Sequence, residues 1–207
     1  IEVVSYVRGG FFTALAGAER SKAIDENKRI IDEAAEIGAP LVVLVCGATP
    51  EQSLFESRKQ ITEGIAASIE HAAAAGVKLG IEPLHPMYAD SRSAVNTMSQ
   101  AGGICDEVGH PNLGITADVF HIWWDDHLEE EIKIAAAKNQ LFSFHICDWK
   151  NLPEDMLNDR GIMGEGVIDV SGIRRWVRDT GFPGYDEVEI FSNKYWAMDQ
   201  DEYLKRI

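Results

Sequence analysis

Apolar residues along this chain come in short runs separated by longer amphipathic stretches. Ile1-Glu2-Val3-Val4-Ser5-Tyr6-Val7 reads as a strand, and Arg8-Gly9-Gly10-Phe11-Phe12 as the loop behind it. The stretch 22–37 sets Ile24, Ile30, Ile31, Ala34 and Ala35 on one helical face and stops at Gly38. Leu41-Val42-Val43-Leu44-Val45-Cys46 is continuously apolar, as a strand covered on both faces of a parallel sheet should be, and Gly47-Ala48-Thr49-Pro50 breaks it. A long helix then runs to Ala75 and closes on Gly76. Further strands are expected at 77–82, 113–119, 141–147 and 186–191. Helices fall near 93–108, 126–138 and 170–180, a loop spans Asp148 to Gly166, and a last helical piece begins near Asp199.

That is strict βα alternation over six units in one domain, 1–207, and it predicts a parallel sheet. An open doubly wound sheet usually carries a glycine-rich fingerprint after its first strand, and none is present. A closed (β/α)8 TIM barrel instead gathers functional side chains from the C-terminal ends of several strands. The barrel is the expected fold. A barrel typically needs about 250 residues, so two βα units are expected ahead of Ile1, and the first run here then takes the place of the third strand.

Four strands end on a metal-capable side chain. Gly80-Ile81-Glu82-Pro83 carries Glu82, Ile115-Thr116-Ala117-Asp118 carries Asp118, Phe142-Ser143-Phe144-His145 carries His145 and Val188-Glu189-Ile190 carries Glu189. At one barrel mouth these form an oxygen-rich cage suited to one divalent ion, Mn²⁺ or Mg²⁺ first and Co²⁺ or Zn²⁺ next. Taken singly, each acid has an ordinary alternative as a helix cap or solvated loop residue, and the histidine as a satisfied core residue. Glu187 shares a strand face with Glu189, but Glu189 lies nearer the C-terminal end and takes the ligand assignment.

Neighbouring residues extend the site. His121 lies just past Asp118, either at the mouth or bonded to loop backbone. Arg160, in Asp159-Arg160-Gly161-Ile162-Met163-Gly164-Glu165-Gly166, either clamps a substrate oxygen or makes a loop salt bridge. Trp123, Trp124 and Trp149 either wall a sugar pocket or cap the barrel core. Cys147 is expected to be buried filler.

Charge narrows the partners. A net charge of −15 repels phosphate backbones and anionic membranes, which argues against nucleic acid. Three unpaired cysteines suit a reducing compartment, and the absence of a long apolar run or signal peptide makes a soluble, cytoplasmic chain the expectation. No glycine-rich phosphate cradle or Lys/Arg cluster appears near the strand ends, so an unphosphorylated sugar or polyol is the expected substrate. A homo-oligomer is compatible with all of this.

The motifs Gly80-Ile-Glu-Pro-Leu-His-Pro86, Asp118-Val-Phe-His121, Phe144-His-Ile-Cys-Asp148, Arg160-Gly-Ile-Met-Gly-Glu-Gly166 and Glu187-Val-Glu-Ile-Phe-Ser192 resemble, in order and over nearly the whole chain, the sugar phosphate isomerase/epimerase family of xylose isomerase-like barrels. The resemblance implies that Glu82, Asp118, His145 and Glu189 hold the metal. It also implies that His121 and Arg160 contact substrate. Where the epimerases place a further Glu after the first ligand, this chain has Leu84-His85-Pro86, so His85 is expected to fill that substrate-side role. The implied chemistry is isomerisation or epimerisation through an enediolate, with Glu82 and Glu189 as the acid/base pair and His121 serving the substrate oxygen. Three rivals remain. One is a lyase that dehydrates a keto-sugar or inosose on the same scaffold, another a hydrolase like the endonuclease IV branch, and the last a sugar-binding barrel without turnover.

Overall fold

The computed structural model describes residues 1–207. In chain order it contains β1 (Tyr6–Gly10), α1 (Gly17–Glu36), β2 (Leu41–Val45), α2 (Leu54–Ala74) and β3 (Lys78–Ile81). These are followed by α3 (Met98–Val108), β4 (Leu113–Asp118), α4 (Val119–Ile122), α5 (Leu128–Ala137) and β5 (Leu141–Ile146). The chain ends with α6 (Val170–Asp179), β6 (Glu187–Val188), α7 (Asn193–Trp196) and α8 (Gln200–Leu204). The six strands pair in sequence order and all in parallel, as crossover helices require.

The sheet curls. Five spacings of about 4.8 Å would hold the edges of a flat six-stranded sheet about 24 Å apart. Yet the Ser5 hydroxyl, just before β1, donates to Glu187 of β6 at 2.7 Å, and the Tyr185 hydroxyl reaches Glu2 at 3.5 Å. The two edges therefore face each other across a narrow seam, which is the geometry of a barrel lacking part of its wall. One apolar core fills the space between sheet and helices, from Ile31 and Ala34 on α1 to Ile173 and Val177 on α6. No helix is long and apolar enough to cross a membrane.

Strands β2 and β4 are buried along their whole length, as their unbroken apolar runs predict. Departures from expectation have local causes. The first strand is Tyr6–Gly10 and not 1–7, because Gly9 and Gly10 are needed in the ladder and not in a loop. A Cβ on Gly10, which has φ +109°, would sit 2.0 Å from the Val45 carbonyl oxygen. On α1, Ala35 is exposed, and the buried face instead holds Asn27. The Asn27 amide is satisfied there, accepting from Gly10 N at 2.6 Å and donating to Gly10 O at 2.7 Å. Helix α3 begins at Met98, not near 93. The Thr97 hydroxyl caps it by accepting from Gln100 N, and Ala94 N donates to Gly47 O, which holds the preceding segment against the end of β2. The last strand is shorter than expected, with two residues, and α4 and α7 had no signal in the apolar periodicity.

Candidate metal centre

Glu82 follows β3 directly, Asp118 ends β4, His145 lies in β5 and Glu189 follows β6. Parallel pairing sets Asp118 opposite His145, and His145 opposite Glu187. The curl closes the set: one ligand atom from each of Glu82, Asp118, His145 and Glu189 lies within 4.8 Å of the others. His145 Nδ1 is 3.6 Å from Glu82 Oε1 and 3.7 Å from Glu189 Oε2, too long for hydrogen bonds. Glu82 Oε1 and both ring nitrogens of His145 are buried without a hydrogen-bond partner. Buried polar atoms are normally satisfied, so the orphaned Glu82 Oε1 and His145 Nδ1, which lie 3.6 Å apart, fit a bound cation.

Electrostatics bear the same mark. Burial, with the Glu189 and Asp118 charges adding to it, pushes the Glu82 carboxyl up to about 7. Burial also works against ionised Glu189, but His145 and Arg160 hold it well below the usual carboxylate range. Burial alone would lower His145, and the two carboxylates beside Nδ1 instead raise it well above its usual value. On the far side of the ring, Nε2 faces Glu187 Oε2 at 3.7 Å, and the Ser143 hydroxyl donates to the other Glu187 oxygen. Glu187 thus stands behind the imidazole, while Glu189 stands with the other acids in front of it.

Arg160 is 4 % exposed and lies under the cluster. Its Nη1 donates to Asp118 Oδ2 at 2.8 Å and to Glu189 Oε2 at 2.9 Å, and its plane sits 4.3 Å from the Phe120 ring. The loop carrying it is held by Asp148, whose buried carboxylate accepts backbone N–H bonds from Trp149, Gly164, Gly166 and Ile168. That close wrap explains one glycine of the motif, since a Cβ on Gly166 would lie 2.4 Å from Asp148 Oδ1.

Glu82, Glu189, His121 and Arg160 line a cavity of about 360 Å³, walled on its apolar side by Val45, Leu84 and Phe191. Asp118 and His145 lie behind its surface. His121 is buried, and burial lowers its pKa to about 3, so the ring is neutral. Its Nδ1 faces His85 N and its Nε2 faces Arg160 Nη2, each at 3.2 Å. A neutral imidazole has one acceptor nitrogen, so it satisfies one of these donors and carries its proton on the other side.

Two expected substrate residues stand outside this lining. The His85 ring packs on Trp149 at 4.9 Å and accepts from Met87 N, and Trp124 donates its indole N–H to the His121 carbonyl. Trp149 stacks on Phe120, so Trp123 and Trp149 cap the core, while the indole on the cavity is Trp196 of α7. Tyr88, Arg8 and Arg92 also line the cavity and had been assigned no part in the site. Arg8, Arg92 and Arg160 together form the cationic cluster that is absent along the sequence. It is assembled from the middle of β1, the segment after β3 and the loop after β5.

Known proteins place this geometry. The chain is 29% identical over 186 residues to inosose isomerase of Bacillus licheniformis, covering 88% of this chain and 65% of that one. It thus spans just under two thirds of that relative. The crystal structure of protein SMc04130 from Sinorhizobium meliloti 1021 superposes with a TM-score of 0.95 at 48% identity, over 99% of this chain and 75% of that one. The IolI protein with a bound zinc atom superposes with a TM-score of 0.85 at 25% identity, over 99% and 73%. The profile of the xylose isomerase-like TIM barrel family matches residues 1–207 throughout, and this chain belongs to that family.

Proposed function

We propose that this chain is an enzyme that moves a proton next to the carbonyl of a sugar or polyol ketone, as an isomerase or epimerase, with one divalent ion held by Glu82, Asp118, His145 and Glu189. The observation that carries this reading is the convergence of those four side chains, with orphaned atoms on Glu82 and His145, at the floor of a cavity. A divalent ion there supplies Lewis-acid polarisation of a carbonyl and its neighbouring hydroxyl. The zinc of the IolI structure and the mixed donor set both suit such an ion.

The chain's own residues then divide the work. Asp118 and His145 hold from behind, out of reach of substrate. Glu82 and Glu189 face the cavity, so one carboxylate takes the proton from carbon and the other returns it. Return to the same carbon from the other side is epimerisation, and return to the neighbouring carbon is isomerisation. Neutral His121 lines the same cavity, and its ring nitrogen that carries the proton, which satisfies neither His85 N nor Arg160, is the group that would donate to the substrate oxygen. Val45, Leu84 and Phe191 keep the reacting carbon out of bulk water.

The test is solvent deuterium uptake at the α-carbon of keto-sugars and inososes, with and without added metal. Metal-dependent uptake is expected, and Glu189→Gln should slow it by about 10²–10⁴-fold. Full turnover in Glu189→Gln would refute the acid/base assignment. Uptake accompanied by an unsaturated product would identify a dehydratase instead.

A further inference from the structure

The rim of the cavity carries charge that the proton-transfer reading does not use. Arg8, in the middle of β1 where the pairing register shifts, and Arg92, in the segment after β3, both line the cavity that holds Glu82, Glu189 and His121. The chain is strongly acidic, and six of its ten guanidiniums pair with carboxylates, while Arg58 bonds the Ala94 carbonyl and Arg175 has no carboxylate partner. Arg20 pairs with Glu63, Arg160 with Asp118, Arg178 with Asp186 and Arg206 with Glu165. Neither Arg8 nor Arg92 pairs with any carboxylate, although 34 acidic residues are available. Each is instead set against an aromatic face: the Arg8 guanidinium lies 4.6 Å from the Phe11 ring centre, and Arg92 lies 5.5 Å from that of Tyr88. Stacking fixes the plane of a guanidinium and leaves its N–H edge free to bind in that plane. The two are close enough that the Arg92 charge, after burial, helps to lower the Arg8 pKa.

Two like charges at the rim of an open cavity, neither in contact with a carboxylate, form a receptor for an anion. We infer that Arg8 and Arg92 bind an anionic group, a phosphate or a carboxylate, on the part of the substrate remote from its reacting carbonyl. The inference rests on the proposed proton-transfer site for what lies at the cavity floor. It also reopens the expectation of a substrate without phosphate, because that expectation looked for neighbouring basic residues along the sequence and these two converge only in space. Such a pair gives orientation as well as affinity. An anchored anion presents one carbonyl to Glu82 and Glu189 and excludes the reversed pose, and its local positive field offsets the repulsion an anionic substrate meets from the chain's net charge of −15.

The subsite can be tested apart from turnover. Inorganic phosphate binding is followed by phosphorus NMR line broadening, and malonate binding by proton saturation transfer, in metal-free and in zinc-loaded protein. At least one probe is expected to bind in both states. Arg8→Met and Arg92→Met should each weaken it about tenfold, the loss of one charge-assisted contact, while Arg92→Lys retains part of it. Binding of phosphate alone assigns a phosphorylated substrate, and binding of malonate alone assigns a sugar acid. Failure of both probes to bind, or binding unchanged in both methionine variants, overturns the subsite. Zinc affinity, measured on the same samples, reports on the floor. Anion binding in a protein that takes up no zinc would remove the proposed reaction and leave the subsite standing.

Discussion

The floor and the rim of the cavity differ in charge, burial and need. At the floor, three carboxylates and an imidazole are packed together, and three of their polar atoms have no partner. At the rim, Arg8 is exposed and Arg92 half-buried, and water can solvate both. Burying uncompensated charge costs several kcal/mol per ion, whereas an exposed guanidinium costs almost nothing to keep. The floor therefore demands a cation, while the rim only offers to bind an anion. Changes at the floor should be felt in metal affinity and folding, and changes at the rim in substrate selection alone.

That contrast can be broken most severely at His145. His145→Ala removes the one nitrogen ligand and should weaken zinc binding by more than the roughly 10–100-fold typical of outer-shell changes, measured by competition with a chelating dye. Retained affinity would mean the imidazole is only core filler. Glu187→Gln comes next. Glu187 stands behind the His145 ring, 3.7 Å from Nε2 and outside the cavity lining, where its charge favours the ring's orientation, so a loss of about 10–100-fold in zinc affinity is expected. An unchanged affinity would show that packing orients the ring unaided.

Proton competition should give a smaller, graded effect. In the metal-free protein Glu82 is raised to about 7 and His145 well above its usual value, so both hold protons that a cation must displace. Metal affinity should rise with pH through neutrality, by about tenfold per unit for each proton released, and calorimetry in buffers of different ionisation enthalpy should count that release. An affinity flat between pH 6 and 8 would contradict it. The smallest effect belongs to the rim, where Arg92→Met should change unfolding free energy by no more than about 0.5 kcal/mol in urea titrations.

The same division explains what could be read from sequence. Glu82, Asp118 and His145 stood out because each ends an apolar run, and β3, β4 and β5 are central strands whose burial forces that run. Nearer the seam the signal fades. Strand β6 is two residues long, and choosing Glu189 over Glu187 depended on which lay further along the strand; the structure puts the first with the other ligands and the second behind His145. Strand β1 was misplaced because its ladder runs through Gly9 and Gly10, which pack against β2 with no side chain of their own to mark a strand. His85 was read as facing substrate; its ring packs against Trp149 and is not among the residues lining the cavity. Arg8 and Arg92 carried no sequence pattern, since 84 positions of chain separate two groups that meet only through the pairing of β1 with β2 and the bond from Gly47 N to Arg92 O.

Anomalous scattering from a zinc-soaked crystal tests the centre most directly. The account predicts one peak, at about 2.0–2.2 Å from Glu82, Asp118, His145 Nδ1 and Glu189. A peak bonded to His145 Nε2 and Glu187, or no peak within reach of the four, would contradict it.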